Sequence, residues 1–298
     1  MTGTSSGVAG GKSNRPGVDT RLKKALELEK AGLVAEAEGA FRDVIRLDPE
    51  NLPAHINLGR LLYRLGRFPE AEQEFRSAVV LSLDNPEAHH NLGSVLFRRG
   101  RVRDAEMEWR EAGRLRPDFA DPRANLGLLL FHQGRYDEAE VEFRQAIAID
   151  PDNYFARLNL GTLLHSLCRY PDAVIEYREA IRVNPGDPCA HQNISEVYFC
   201  LGEFDLAVTE ARRTRKMSED LALTVIAWFL EVASLVAAGS PDAEAVERSF
   251  REFVEANRGY DLFEWGFDEV EMSVESRPCR DRILSLIRLV RENSAKGS

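Results

Sequence analysis

The chain has 298 residues, of which 44% are hydrophobic and 30% charged, and it carries a formal net charge of −10 with a pI near 5.3. This apolar fraction supports a folded core, while the acidic balance excludes nonspecific nucleic-acid binding, which draws on surplus Lys and Arg. Cys168, Cys189, Cys200 and Cys279 form no CxxC pair and read as free thiols of a reducing, cytoplasmic setting.

Residues 1–17 are rich in Gly and Ser and contain no apolar run, which predicts a disordered leader and no secretory signal. Beyond them the chain repeats. Ala37, Ala71, Ala105, Ala139, Ala173 and Ala207 stand 34 residues apart, a period that implies a stack of one unit and no single central core. The boundaries are 18–51, 52–85, 86–119, 120–153, 154–187 and 188–221. Residues 120–153 illustrate the unit. Leu126, Leu129 and Leu130 mark a first helix, Gly134 a turn, and Ala139, Phe143, Ala146 and Ile147 one face of a second helix that Pro151 ends.

Aligned copies assign each site a role. Gly59, Gly93, Gly127, Gly161 and Ser195 let the paired helices approach closely. Gly32, Gly66, Gly100, Gly134 and Gly202 suit a left-handed helix end, where the fifth copy has Cys168 and so predicts a strained or different turn. Bulky residues recur at Phe41, Phe75, Trp109, Phe143 and Tyr177, with Ala211 the exception.

This pattern of small residue, aromatic, alanine and proline resembles the tetratricopeptide repeat (TPR) family over about residues 18–221. The resemblance implies an all-α, right-handed superhelical solenoid of antiparallel helix pairs, with first helices lining the concave side. The repeat region is also similar to that of the protein O-linked N-acetylglucosamine transferases, with no counterpart of their catalytic domain.

Past residue 221 the phase is lost. The stretch 221–238 has one charge, Glu231, and is at the low edge of a membrane-spanning length. A central acid costs roughly 2.5–3.5 kcal/mol on insertion scales, so the favoured role is to cover the last apolar face of the stack. Residues 222–298 are read as a divergent helical cap, or alternatively as a degenerate seventh unit followed by an acidic, aromatic stretch (Phe263, Trp265, Phe267) and a helix presenting Ile283, Leu286, Ile287 and Val290.

Asn57, Asn91, Asn125, Asn159 and Asn193 follow the same period on the first helices. A primary amide both donates and accepts, so it can grip a peptide bond whatever the side chain. With first helices about 10 Å apart and an extended chain rising roughly 3.3 Å per residue, one amide would serve about every third ligand residue. The transferase resemblance implies the same grip; asparagine here is also common among TPR units, where it satisfies neighbouring backbone. Arg60, Arg64, His90 and Arg98 on the same helices predict an acidic ligand segment. The paired lysines of a carboxylate clamp for chaperone C-termini are missing.

Catalytic or metal chemistry is not legible. His55, His89 and His191 occupy equivalent sites of different units, which even in adjacent units lie about 8–10 Å apart, too far to share zinc. No nucleophile–base pair or phosphate-binding glycine loop appears, and no cofactor is implied. The expected function is a noncatalytic scaffold for a protein or peptide ligand. The alternatives are a substrate-presenting accessory subunit of a glycosyltransferase or other enzyme complex, and a structural subunit self-associating through its C-terminal region.

Overall fold

The computed structural model describes residues 17–262 and 267–294. The expected leader, up to residue 16, lies outside them, as do Phe263 and Trp265. The described residues form sixteen α-helices and no β-strand. They form an all-α solenoid that divides between Leu129 and Leu130 into two compact units, and within each unit helices neighbouring in the chain pack together, as Leu52–Arg64 with Phe68–Leu81 and Tyr154–Ser166 with Tyr170–Val183.

The N-terminal unit contains α1 (Val18–Lys30), α2 (Val34–Leu47), α3 (Leu52–Arg64), α4 (Phe68–Leu81), α5 (Pro86–Arg98), α6 (Val102–Leu115) and most of α7 (Ala120–His132). The first helices α3 and α5 start on asparagine caps. Asn51 Oδ1 accepts from the Ala54 N–H at 3.1 Å, and Asn85 Oδ1 from the Ala88 N–H at 2.9 Å. Proline follows each cap, where a missing N–H costs nothing. Such a cap contributes about 1 kcal/mol.

Each pair then turns through a left-handed glycine. At Gly66, φ is 71°, and the Arg67 N–H returns to the Leu62 carbonyl at 3.0 Å, closing the helix end. Ala37, Ala71 and Ala105 are fully buried. The small-residue site has a specific partner: a Cβ on Gly59 would lie 2.6 Å from the Phe75 ring, and one on Gly93 2.7 Å from that of Trp109. The bulky residue of the second helix therefore lies against the bare backbone of the first.

The C-terminal unit contains α8 (Tyr136–Ile149), α9 (Tyr154–Ser166), α10 (Tyr170–Val183), α11 (Pro188–Leu201) and α12 (Phe204–Met217). The ring-on-glycine contact recurs between Tyr177 and Gly161. Where the ring is lost, at Ala211, the glycine is also lost: Ser195 is buried there and donates its hydroxyl to the Ala207 carbonyl at 2.9 Å. Cys168 takes a φ of 56° with the same hydrogen-bonding pattern as the glycines, the Arg169 N–H reaching the Leu164 carbonyl at 2.8 Å. The turn keeps its shape, and the side chain bears the left-handed strain.

Helices α13 (Leu221–Ala237), α14 (Ala243–Ala256), α15 (Asp268–Val274) and α16 (Arg280–Asn293) complete this unit. Among the described residues, no helix is long and apolar enough to cross a membrane. Instead α13 packs against α11, α12, α14 and α16. Its one charge, Glu231, is 1% exposed and pairs with Arg212 at 2.7 Å and Arg215 at 3.2 Å. The basic run that precedes α13 thus neutralises the acid within it. Ile283, Leu286, Ile287 and Val290 of α16 are all buried.

Candidate functional site

The periodic histidines have a local task. His55 Nδ1 meets Glu74 at 2.6 Å while Nε2 meets the Pro49 carbonyl at 3.0 Å; His89 does the same with Glu108 and Leu83, and His191 with Glu210 and Pro185. In the fifth repeat Arg157 replaces histidine and makes equivalent bonds to Glu176 and Pro151. These side chains clip the start of a first helix to the second helix of its pair. Burial opposes the charged form of His55, but its bonds to Glu74 and the Pro49 carbonyl outweigh it and raise the pKa.

The five asparagines are all half-buried, and their bonding divides them. Asn57 and Asn159 donate their amide nitrogens to the carbonyls of Pro53 and Phe155, one turn back on their own helices, both at 2.7 Å. Asn193 lies within reach of the Tyr177 hydroxyl. Asn91 and Asn125 have no hydrogen-bond partner among the described residues.

A cavity of about 230 Å³ opens in the N-terminal unit beside Asn91, lined also by Arg60, Tyr63, Arg64, His90 and Ser94. Four of the sequence-predicted residues therefore meet at one place. Tyr63 and Ser94 were missed, although each stands three or four residues from a predicted neighbour and so shares its helix face. Arg98 is not among the lining residues; its guanidinium sits over the Phe68 ring, 5.4 Å from the centroid.

The electrostatics differ from the expected row of free cations. Arg64 pairs with Glu29 of α1. Burial lowers the His90 pKa below the usual histidine value, with Asp121 and Glu87 opposing only in part, so His90 is neutral at pH 7. Its Nδ1 is buried without a hydrogen-bond partner among the described residues, and its ring packs 5.1 Å from that of Phe119. Arg60 is exposed and has no ion pair among the described residues. The cavity thus offers one free guanidinium, one free amide, a neutral imidazole and hydroxyls.

A larger hollow of about 690 Å³ opens over α4, lined by residues including Pro69, Gln73, Val80 and Leu81. Its arginines, Arg76 and Arg99, are committed to Glu72. It contains none of the asparagines.

The family model described as tetratricopeptide repeat matches residues 22–88, 90–154 and 142–188. A comparison with curated proteins finds no match. Among solved structures the chain is similar to a tetratricopeptide repeat protein from Parabacteroides merdae, at 18% identity over 92% of this chain and 98% of that one, with a TM-score of 0.60. It is also similar to pilF of Pseudomonas aeruginosa, at 18% identity over 76% and 97%, TM-score 0.63. A third is PilW, described as a type IV pilus biogenesis factor, at 18% identity over 69% and 96%, TM-score 0.63. At these identities the likenesses speak to the fold. With more than half of its length matched by the family model, and with helix pairs packed in series, this chain belongs to the tetratricopeptide repeat family.

Proposed function

We propose that this protein is a noncatalytic scaffold that holds an extended, acidic peptide segment of a partner protein on the first helices of its N-terminal unit. TPR proteins generally mediate protein–protein interactions with protein or peptide partners. The observation that carries the finer reading is the cavity beside Asn91, where an unpartnered amide and an unpaired guanidinium share one lining.

Asn91, and Asn125 on the next first helix, supply donors and acceptors for ligand peptide groups, in the manner implied by the transferase resemblance. Arg60 supplies the charge that favours a carboxylate, and His90 serves as a neutral polar contact. Net hydrogen bonds contribute roughly 0.5–1.5 kcal/mol each, against an association cost on the order of 4–15 kcal/mol. The amides therefore align a ligand, and side-chain contacts in the cavity supply the affinity. Asn57 and Asn159 hold one amide hydrogen on their own helix, which fixes the amide's orientation and leaves one N–H and the oxygen, so they contribute less.

A displayed random-peptide library selected on the full chain tests this. Acidic peptides should be enriched on wild type and lose about tenfold or more in affinity on Asn91→Ala/Asn125→Ala, a loss of 1.4 kcal/mol or more. Asn57→Ala/Asn159→Ala should change little, and Arg60→Ala should weaken binding and flatten its salt dependence. Peptides bound equally well by wild type and the Asn91/Asn125 variant, with unchanged melting temperatures, would remove the reading.

A further inference from the structure

One cluster in the C-terminal unit belongs neither to the repeat pattern nor to the peptide-binding face. His165 closes α9, Cys200 lies near the end of α11, and Glu269 stands in the first turn of α15. An imidazole nitrogen, the thiol sulfur and a carboxylate oxygen of these three lie within 4.8 Å of one another. Tetrahedral zinc bonds of about 2.0–2.3 Å set neighbouring donors about 3.3–3.6 Å apart, so the touching imidazole and carboxylate would open to admit an ion that the thiol then joins.

The surroundings point the same way. His165 is 8% exposed, and its Nε2 is sealed from solvent, in ion-pair contact with Glu269 but without hydrogen-bond geometry. Glu196, buried and one turn before Cys200 on α11, adds its negative charge, and the Tyr170 ring covers the imidazole edge-on at 5.8 Å. A carboxylate and a thiol thus meet a single imidazole, a donor set suited to a dication.

We propose that His165, Cys200 and Glu269 form a binding site for a zinc-class divalent metal ion that fastens α15 to α9 and α11. The mixed nitrogen, sulfur and oxygen donors suit zinc or cobalt, and the thiolate disfavours magnesium and calcium. Binding displaces the thiol proton, and the second imidazole proton where the ring is charged, with no change in oxidation state. The fourth position is left to water. His55, His89 and His191 share one repeat position, whereas this site joins residues that the period does not relate.

The test is titration of the reduced, metal-stripped full chain with Co²⁺, followed by displacement with Zn²⁺. One equivalent should bind with a thiolate-to-cobalt charge-transfer band, and Zn²⁺ should raise the melting temperature. Cys200→Ser and His165→Asn should abolish the band. Glu269→Gln should weaken binding about tenfold or more and cancel the thermal shift. Cys189→Ser/Cys279→Ser should keep both. Absence of a thiolate band in folded wild type overturns the proposal even if a variant fails to fold. So does a band that survives in Cys200→Ser.

Discussion

In the N-terminal unit the stabilising contacts come in copies, whereas the helices from α13 onward depend on contacts made once. Phe75 on Gly59 is matched by Trp109 on Gly93, and the His55–Glu74 clip by His89–Glu108. The later helices have one buried Glu231 pair, one Glu247 bridge reaching Arg251 and Arg282, and one Tyr260 hydroxyl donating to the Val290 carbonyl. In the repeats, losing one contact leaves its copies intact, and stability is close to a sum over neighbours. In the C-terminal helices there is no second copy to share the load.

The largest expected effect follows from that contrast. Arg212→Ala/Arg215→Ala leaves the buried Glu231 carboxylate without a counter-charge and should cost about 3–5 kcal/mol in urea unfolding. Glu231→Leu removes the charge together with its need for partners and should be near neutral. Equal losses in both variants would mean that the burial of Glu231 is not what makes the pair matter.

A smaller effect tests the repeated contact. Gly161→Ser places a side chain against the Tyr177 ring and should cost about 1–3 kcal/mol. Combined with Tyr177→Ala, it reproduces the Ser195/Ala211 pairing of the sixth repeat. A double-mutant cycle should then return a favourable coupling of about 0.5–3 kcal/mol, and zero coupling would show that the two substitutions in the sixth repeat are unrelated.

Two histidines of the N-terminal unit should respond to pH in opposite directions. His55 has a raised pKa, so its clip contributes fully below the unfolded value of 6.5 and is lost as pH rises through the folded value. His90 has a lowered pKa, so its contribution is full above 6.5 and is lost as pH falls through the folded value. NMR titration of the two rings, with melting curves of His55→Gln and His90→Gln, measures both signs. The smallest effect is at the turn: Cys168→Gly should stabilise by about 1 kcal/mol or less, because relief of the left-handed strain is partly offset by a freer unfolded chain.

Much of the fold was legible because its signals are local. The alanines, turn glycines and terminal prolines each act within one helix or turn, so their spacing predicts the helix pairs without knowledge of any long-range contact. The site was legible in part. Arg60, Arg64, His90 and Asn91 do line one cavity, since they lie on corresponding faces of α3 and α5. Which of these groups is engaged elsewhere was not legible, because that depends on Glu29 from α1 meeting Arg64, on the burial of His90, and on the Phe68 ring beneath Arg98.

The amino-acid sequence by itself determined the period, the repeat class and the face on which the asparagines stand, since these follow from helical geometry and from spacing along the chain. Only the tertiary structure decided which arginine stays unpaired, that His90 is buried, and that His165, Cys200 and Glu269 meet. The physical reason is range. Backbone preference and amphipathic spacing act over a few residues, whereas ion pairing, desolvation and donor clustering depend on which side chains the packed helices bring together.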